Sequence, residues 1–168
     1  MLIYRTAVAS ADIQIIRELA NQIWREHYPT IISQEQIEYM LTRRFTYDRV
    51  KEQLQQGVIY EIINDGNRDI GYLSYEKDVD NSAVNLHQIY ILLSEHGKGY
   101  GQATLNRVMD YGRKQNLQTA ELYVNKNNTK AIKAYKRAGF VIVQELVMDI
   151  GNGFIRDDYK MQRSLIDE

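Results

Sequence analysis

Cysteine is absent from this 168-residue chain, which excludes disulfides, a thiolate nucleophile and thiolate metal sites. Histidine is scarce as well, and His27, His87 and His96 are too scattered for a zinc motif, so no metal is expected. Charge of either sign is not in excess: 21 Lys and Arg stand against 22 Asp and Glu, for a formal net charge of −1. With no block of like charge, there is no overall field to draw the chain to nucleic acid or to an anionic membrane. Nor is there an apolar run near the ~20 residues of a membrane span. Met1 to Arg5 lacks the basic stretch followed by an apolar run that marks a secretory signal. The expectation is a soluble cytoplasmic protein with neither nucleic acid nor membrane among its partners.

What the chain has is an ordinary share of core, 44% hydrophobic and 26% charged residues, so residues 1–168 are expected to form a single domain. Leu2 to Ala9 reads as a strand. Ser10 is placed to cap the helix that follows, Asp12 falls in its first turn, and Ile16, Leu19, Ala20, Ile23 and Trp24 recur at helical spacing. Pro29, the only proline, should stop that helix. Ser33-Gln34-Glu35-Gln36 has the form of a capping box before Ile37, Met40 and Leu41, and a polar helix spans Tyr47 to Gln55, ended by Gly57. Val58 to Ile63 and Ile70 to Tyr75 flank an Asp65-Gly66 turn and predict a hairpin. A polar connection from Lys77 to Asn85 leads to a strand, Leu86 to Leu93. After a glycine loop come a helix from Gln102 to about Gln115, a strand from Ala120 to Asn125, and a helix from Thr129 to Ala138 ended by Gly139. Phe140 to Asp149 and Ile155 to Leu165, joined by Gly151-Asn152-Gly153, read as a closing hairpin. Such an order predicts α+β with a mixed sheet.

The loop His96-Gly97-Lys98-Gly99-Tyr100-Gly101-Gln102 carries the chemistry. Three glycines at alternate positions before a helix put bare backbone N–H groups at a positive helix end, which suits a phosphate or pyrophosphate. The same residues would also make a plain tight turn. A dinucleotide fingerprint fails on spacing, because Gln102 or Thr104 stands where its third glycine belongs, and a P-loop fails for want of Gly-Lys-Ser/Thr after four free positions.

A second signature follows downstream. His96-Gly97-Lys98-Gly99-Tyr100-Gly101 resembles the Gln/Arg-x-x-Gly-x-Gly/Ala motif of the GNAT superfamily of N-acetyltransferases. Asn128 to Phe140, with Ala131, Tyr135, Gly139 and Phe140 in place, resembles its Asn-x-x-Ala-x-x-x-Tyr-x-x-x-Gly-Phe signature. The likeness is close over residues 86 to 140. Asp157 to Met161 is similar to the last strand of bacterial members, including polyamine-type and ribosomal-protein-type acetyltransferases. The departure is His96, where the family has glutamine or arginine.

The resemblance implies a GNAT fold: a mixed, mostly antiparallel twisted sheet of six to seven strands, helices on both faces, and a cofactor cleft between two splayed parallel strands. It implies acetyl-CoA as cosubstrate, with the pyrophosphate on the amides of His96, Gly97, Lys98, Gly99, Tyr100, Gly101 and Gln102. Pantetheine would then bond the backbone of Ile91, Leu92 and Leu93, and Asn128 would contact the cofactor arm or cap its helix. Tyr135 matches the family's general acid, and a phenol with a pKa near ~10 keeps its proton at neutral pH. The alternative for Tyr135 is a ring packed on Ala131 and Ala138. His87 shares a strand face with Ile89 and Ile91 by alternation. It stands where spermidine-type relatives carry a glutamate, which makes it the candidate base, with Glu76 in reserve and ordered water as a third option.

The acceptor implied is a primary amine, either a small-molecule amine such as a polyamine or an amino group of a protein or peptide. Glu35, Glu38, Asp157 and Asp158 are either a lure for a polycation or ordinary solvated charges. The chain would act as a monomer or homodimer. The competing reading is a non-catalytic acyl-CoA sensor on the same fold, which would have no need of Tyr135.

Overall fold

Ile16 and Ala20 are fully buried on helix α1 (Ser10–His27), with Ile13, Leu19, Ile23 and Trp24 beside them, so the helical spacing becomes one core-facing stripe. Residues 1–166 are described by the structure, a computed structural model. Before α1 lies strand β1 (Ile3–Thr6). After it come α2 (Gln34–Arg44), α3 (Tyr47–Gln55), β2 (Ile59–Asn64), β3 (Asp69–Asp78), β4 (Ala83–Ile91), α4 (Tyr100–Lys114), β5 (Thr119–Asn125), α5 (Thr129–Arg137), β6 (Val141–Gly151) and β7 (Phe154–Ser164). The strands form one seven-stranded mixed sheet in the order β1-β2-β3-β4-β5-β7-β6. The β4–β5 pair is parallel, whereas β1–β2, β2–β3, β5–β7 and β6–β7 are antiparallel. The α+β class and the mixed sheet expected from the element order are those observed.

The residues group into two compact units, Met1–Glu76 with Gln88–Thr104, and Lys77–His87 with the chain from Leu105 onward. In the first, α1 is capped by a different residue from the one its sequence indicates. Ser10 is already helical, and the carboxylate of Asp12 accepts from the N–H of Val8 and of Ala9, each at 2.9 Å, while also pairing with Arg5. Burial pushes the Asp12 carboxyl up, but those two amides and Arg5 outweigh it and hold it below the usual range. Ser10 accepts instead from the Tyr47 hydroxyl, at 2.8 Å. As expected, α1 stops before Pro29, and Tyr28–Thr30 turns once as a 3-10 helix. Ser33 caps α2 by accepting from the Gln36 N–H at 3.2 Å, and Thr46 caps α3 in the same manner through Arg49.

The hairpin of β2 and β3 closes where the Asp-Gly signal places it, with Asp65 accepting from the N–H groups of Asn67 and Arg68. Gly71 of β3 permits a close approach to β4: a side chain there would put Cβ 2.3 Å from the Tyr90 carbonyl oxygen. Ile16, Ile37, Ile62, Ile63 and Ile70 are sealed from solvent in this unit, each contributing about 1.5–3 kcal/mol of burial.

Several boundaries differ from the sequence expectation: β1 covers only Ile3–Thr6 of the stretch from Leu2 to Ala9, and β3 runs on to Asp78, into the expected polar connection. β4 starts at Ala83 and ends at Ile91, rather than running Leu86 to Leu93, because the buried pair Ala83 and Val84 enters the sheet directly after a turn at Ser82, whose φ is 51°. Leu92 and Leu93 therefore lie outside the strand, and Leu93–Glu95 forms a 3-10 turn. α4 begins at Tyr100 rather than Gln102, which brings Gly101 into its first turn.

In the second unit, Ala83–Leu86 of β4 ladder with Thr119–Leu122 of β5, and both strands run on past that ladder. The packing of α4 is tight at Gly112, where an added Cβ would come within 2.5 Å of Leu165 and 3.0 Å of Val84. β7 lies between β5 and β6, and Arg163 on it donates to the Ala138 carbonyl at 2.6 Å, tying the end of α5 to the sheet. No helix among the described residues is long and apolar enough to cross a membrane.

Candidate active site

In the first unit the end of β4, the 3-10 turn and the start of α4 carry the glycine loop. Gly97 and Gly99 have φ of +81° and +79°, a region glycine enters without the Cβ penalty, so the backbone itself requires them. Gly101 is different. It has no positive φ, and a Cβ built on it would meet nothing within 4 Å. Glycine in a helix costs up to about 1 kcal/mol relative to alanine, and neither backbone nor packing in this chain accounts for it. Bare backbone at this position leaves room for something to approach the first amides of α4.

The segment before the loop is partly engaged already. The Leu92 N–H donates to Ile70 at 2.8 Å, the Leu92 carbonyl accepts from Glu95 at 2.9 Å, and the Leu93 carbonyl accepts from the His96 N–H at 3.2 Å. His96 Nε2 lies 2.9 Å from the Ile91 carbonyl. Tyr100 is half-buried, with its carbonyl accepting from the Thr104 hydroxyl at 2.8 Å, and Gln102 is exposed.

Glu95 was not singled out by sequence. Its side chain is only 6% exposed and binds two cations: Lys98 Nζ lies 2.7 Å from one carboxylate oxygen and Arg68 Nη2 lies 2.9 Å from the other. The Lys98 ammonium, then Arg68, hold the Glu95 carboxyl below its usual range, and Lys98 is raised in return. Asp65 in the hairpin turn faces the same two cations, so two carboxylates balance Lys98 and Arg68 beside the loop. No periodicity reveals this triad, because Arg68 reaches it from the hairpin turn.

In the second unit, Asn128 is buried and caps α5, its side-chain oxygen accepting from the Ala131 N–H at 3.3 Å, which is the capping alternative to a cofactor contact. Tyr135 is half-buried on α5, and its ring centroid lies 6.0 Å from that of Phe140. The Phe140 N–H donates to the Tyr135 carbonyl at 3.0 Å, so Gly139 turns the chain to bring the two rings of the signature together. His87 is exposed on β4, and Glu76, at the end of the first unit's β3 segment, is half-buried. Of the four carboxylates considered as a lure for a polycation, three are in ion pairs: Glu38 with Arg25, Asp157 with Lys126, and buried Asp158 with Arg156.

The seven-stranded mixed sheet has the GNAT fold, which solved structures share. The chain matches the PaiA N-acetyltransferase of Thermoplasma acidophilum, solved with coenzyme A, at a TM-score of 0.78 and 18% identity, covering 98% of this chain and 99% of that one. It matches a spermidine N-acetyltransferase of Vibrio cholerae at a TM-score of 0.71 and 23% identity, over 98% and 94% of the two chains. The pattern of the acetyltransferase (GNAT) family matches residues 13–140, and the chain belongs to that family. An uncharacterized N-acetyltransferase of Methanocaldococcus jannaschii is 36% identical over 57 residues, which is 34% of this chain and only 25% of that protein.

Proposed function

We propose that this chain transfers the acetyl group of acetyl-CoA to a primary amine, with residues 1–168 acting as one N-acetyltransferase domain. The observation that carries the reading is Gly101, bare in the first turn of α4 with open space where its side chain would be. The amides of Gly97 to Gln102 take the pyrophosphate there, where the positive helix end favours anionic charge. Lys98 has three N–H donors, so its bond to Glu95 leaves two for phosphate oxygens. Ile91 and Leu93 supply backbone contacts to the pantetheine, while the Leu92 N–H stays with β3.

The chemistry asks three things of the chain. The neutral amine nitrogen attacks the thioester carbonyl carbon, forming the C–N bond, and the C–S bond then breaks. The departing thiolate takes the phenol proton of Tyr135, and the ammonium proton leaves to His87 or to water. Asn128 holds the start of α5 and contacts the cofactor arm. The likeness to structures of acetyltransferases, one of them holding coenzyme A, supports this assignment. The test is calorimetric titration with acetyl-CoA, followed by a panel of amines read by release of free thiol. A folded protein that bound acetyl-CoA but released no thiol with any amine would instead be an acyl-CoA sensor.

A further inference from the structure

Strand β1 reaches the start of α4 through one side chain. The Tyr4 hydroxyl lies 3.1 Å from Thr104 Oγ1, a contact within the first unit between residues 100 apart in sequence. The Thr104 hydroxyl in turn donates to the Tyr100 carbonyl at 2.8 Å. A hydroxyl has a single proton, and that of Thr104 goes to the carbonyl, so Tyr4 is the donor in the first of these bonds. The relay therefore runs one way, from Tyr4 through Thr104 to the Tyr100 carbonyl. Thr104 is sealed from solvent, so bulk water does not compete for either bond.

That carbonyl belongs to the peptide unit whose N–H is the Gly101 N–H. The unit is planar and trans, so a carbonyl directed along α4 toward Thr104 turns the N–H out of the helix start. Gly101 is the second residue of α4, and the first N–H groups of a helix have no acceptor within it. Linked hydrogen bonds polarise one another, and electron density drawn to the Tyr100 oxygen makes the Gly101 N–H a stronger donor. A threonine hydroxyl that donates back to the i−4 carbonyl is ordinary in helices. A second donor behind it, supplied from another element and acting on the peptide of the glycine whose side is open, is not. With Lys98 and Arg68 balanced by Glu95 and Asp65, anion binding rests more on such amides than on side-chain charge. Resting on the acetyl-CoA reading of the loop, we infer that Tyr4 and Thr104 are positioning residues for the cofactor. Acting through the Tyr100 carbonyl, they aim and strengthen the Gly101 N–H toward the pyrophosphate, so that acetyl-CoA affinity is set in part from β1.

Calorimetry on the whole chain tests this with CoA and with ADP, which carries the two phosphates and no thiol arm. Thr104→Val keeps the branched shape and removes the hydroxyl; it should weaken CoA and ADP alike, by about threefold to tenfold. Thr104→Ser restores the donor and should bind as the parent does. Tyr4→Phe leaves the Thr104 hydroxyl in place and should lose about twofold to threefold. Because Tyr4 acts through Thr104, Tyr4→Phe should add nothing to Thr104→Val, a coupling that two independent packing defects would not show. In turnover the loss should fall on the KM for acetyl-CoA, with kcat and the KM for the amine kept. Parental affinity in a folded Thr104→Val protein, Thr104→Ser as weak as Thr104→Val, additive losses, or a loss for CoA with none for ADP would each overturn the inference. If Thr104→Val did not fold, Tyr4→Phe would decide, and parental affinity there would overturn it equally. A parent that binds neither CoA nor ADP sinks the acetyl-CoA reading itself, whereas a parent that binds both, with variants that match it, sinks this inference alone.

Discussion

The imidazole of His96 reaches back across the glycine loop to the carbonyl of Ile91, with Nε2 2.9 Å from the oxygen. A carbonyl only accepts, so the ring carries a proton on Nε2 and donates it. The position that holds glutamine or arginine in relatives is here a brace between the end of β4 and the loop. His96→Ala should therefore loosen the loop rather than remove a phosphate ligand. One lost hydrogen bond of about 0.5–1.5 kcal/mol predicts roughly a 2- to 12-fold rise in the Kd for acetyl-CoA. Calorimetry on the variant checks this, and a loss beyond 100-fold would return His96 to direct phosphate contact.

Gly101 separates stability from binding. Alanine at this helical position meets open space, so Gly101→Ala should stabilise the ligand-free fold by up to about 1 kcal/mol, less if the helix end dilutes the effect. The same methyl group intrudes where the pyrophosphate is placed, and acetyl-CoA affinity should fall, with Gly101→Val losing more. Thermal melts with and without acetyl-CoA read both effects at once. Unchanged affinity in a folded Gly101→Val protein would remove the loop from the binding site.

Glu95 confers a pH dependence of known sign. Its folded-state pKa lies below the unfolded value of about 4.3, through Lys98 first and Arg68 second. Its contribution is therefore complete above that unfolded value and is lost as pH falls through the lower folded one. Glu95→Gln should melt lower than the parent at pH 7, with the gap closing below about pH 4. A gap that persisted at low pH would mean that packing, rather than charge, sets the role of this residue.

Local signals were the legible ones. The stripe from Ile13 to Trp24, the stop before Pro29, the Asp65-Gly66 turn, and the Asn128 to Phe140 signature each lie within one element or one turn, and each appears where the sequence places it. Asp12 displaced Ser10 as the cap because its longer side chain reaches back to two amides and also finds Arg5, a competition that residue preference alone does not decide. The start of β4 moved because Ala83 and Val84 are buried, which their polar neighbours in sequence conceal. Glu95 with Arg68, 27 residues apart, and Phe45 with Tyr72 are contacts made by tertiary packing, and no period or motif encodes them.

Tyr135 and His87 can be told apart by where in the pH profile each acts. His87, if it takes the ammonium proton, matters most on the acidic side, where less amine is neutral, so His87→Ala should steepen the acid limb and spare the plateau. Tyr135→Phe should lower the whole profile. The phenylalanine ring keeps the contact with Phe140, whose ring centroid lies 6.0 Å away, and the bond from the Phe140 N–H to the residue 135 carbonyl does not involve the side chain. The variant should thus fold normally and bind acetyl-CoA with nearly parental affinity. A phenol that protonates the thiolate as the C–S bond breaks contributes in the transition state, so the loss should fall on kcat more than on KM. Its expected size is that of a well-placed general acid, about 100- to 10,000-fold. Turnover within about twofold of the parent, well short of that range, would make Tyr135 a partner for Phe140 and leave the proton to water.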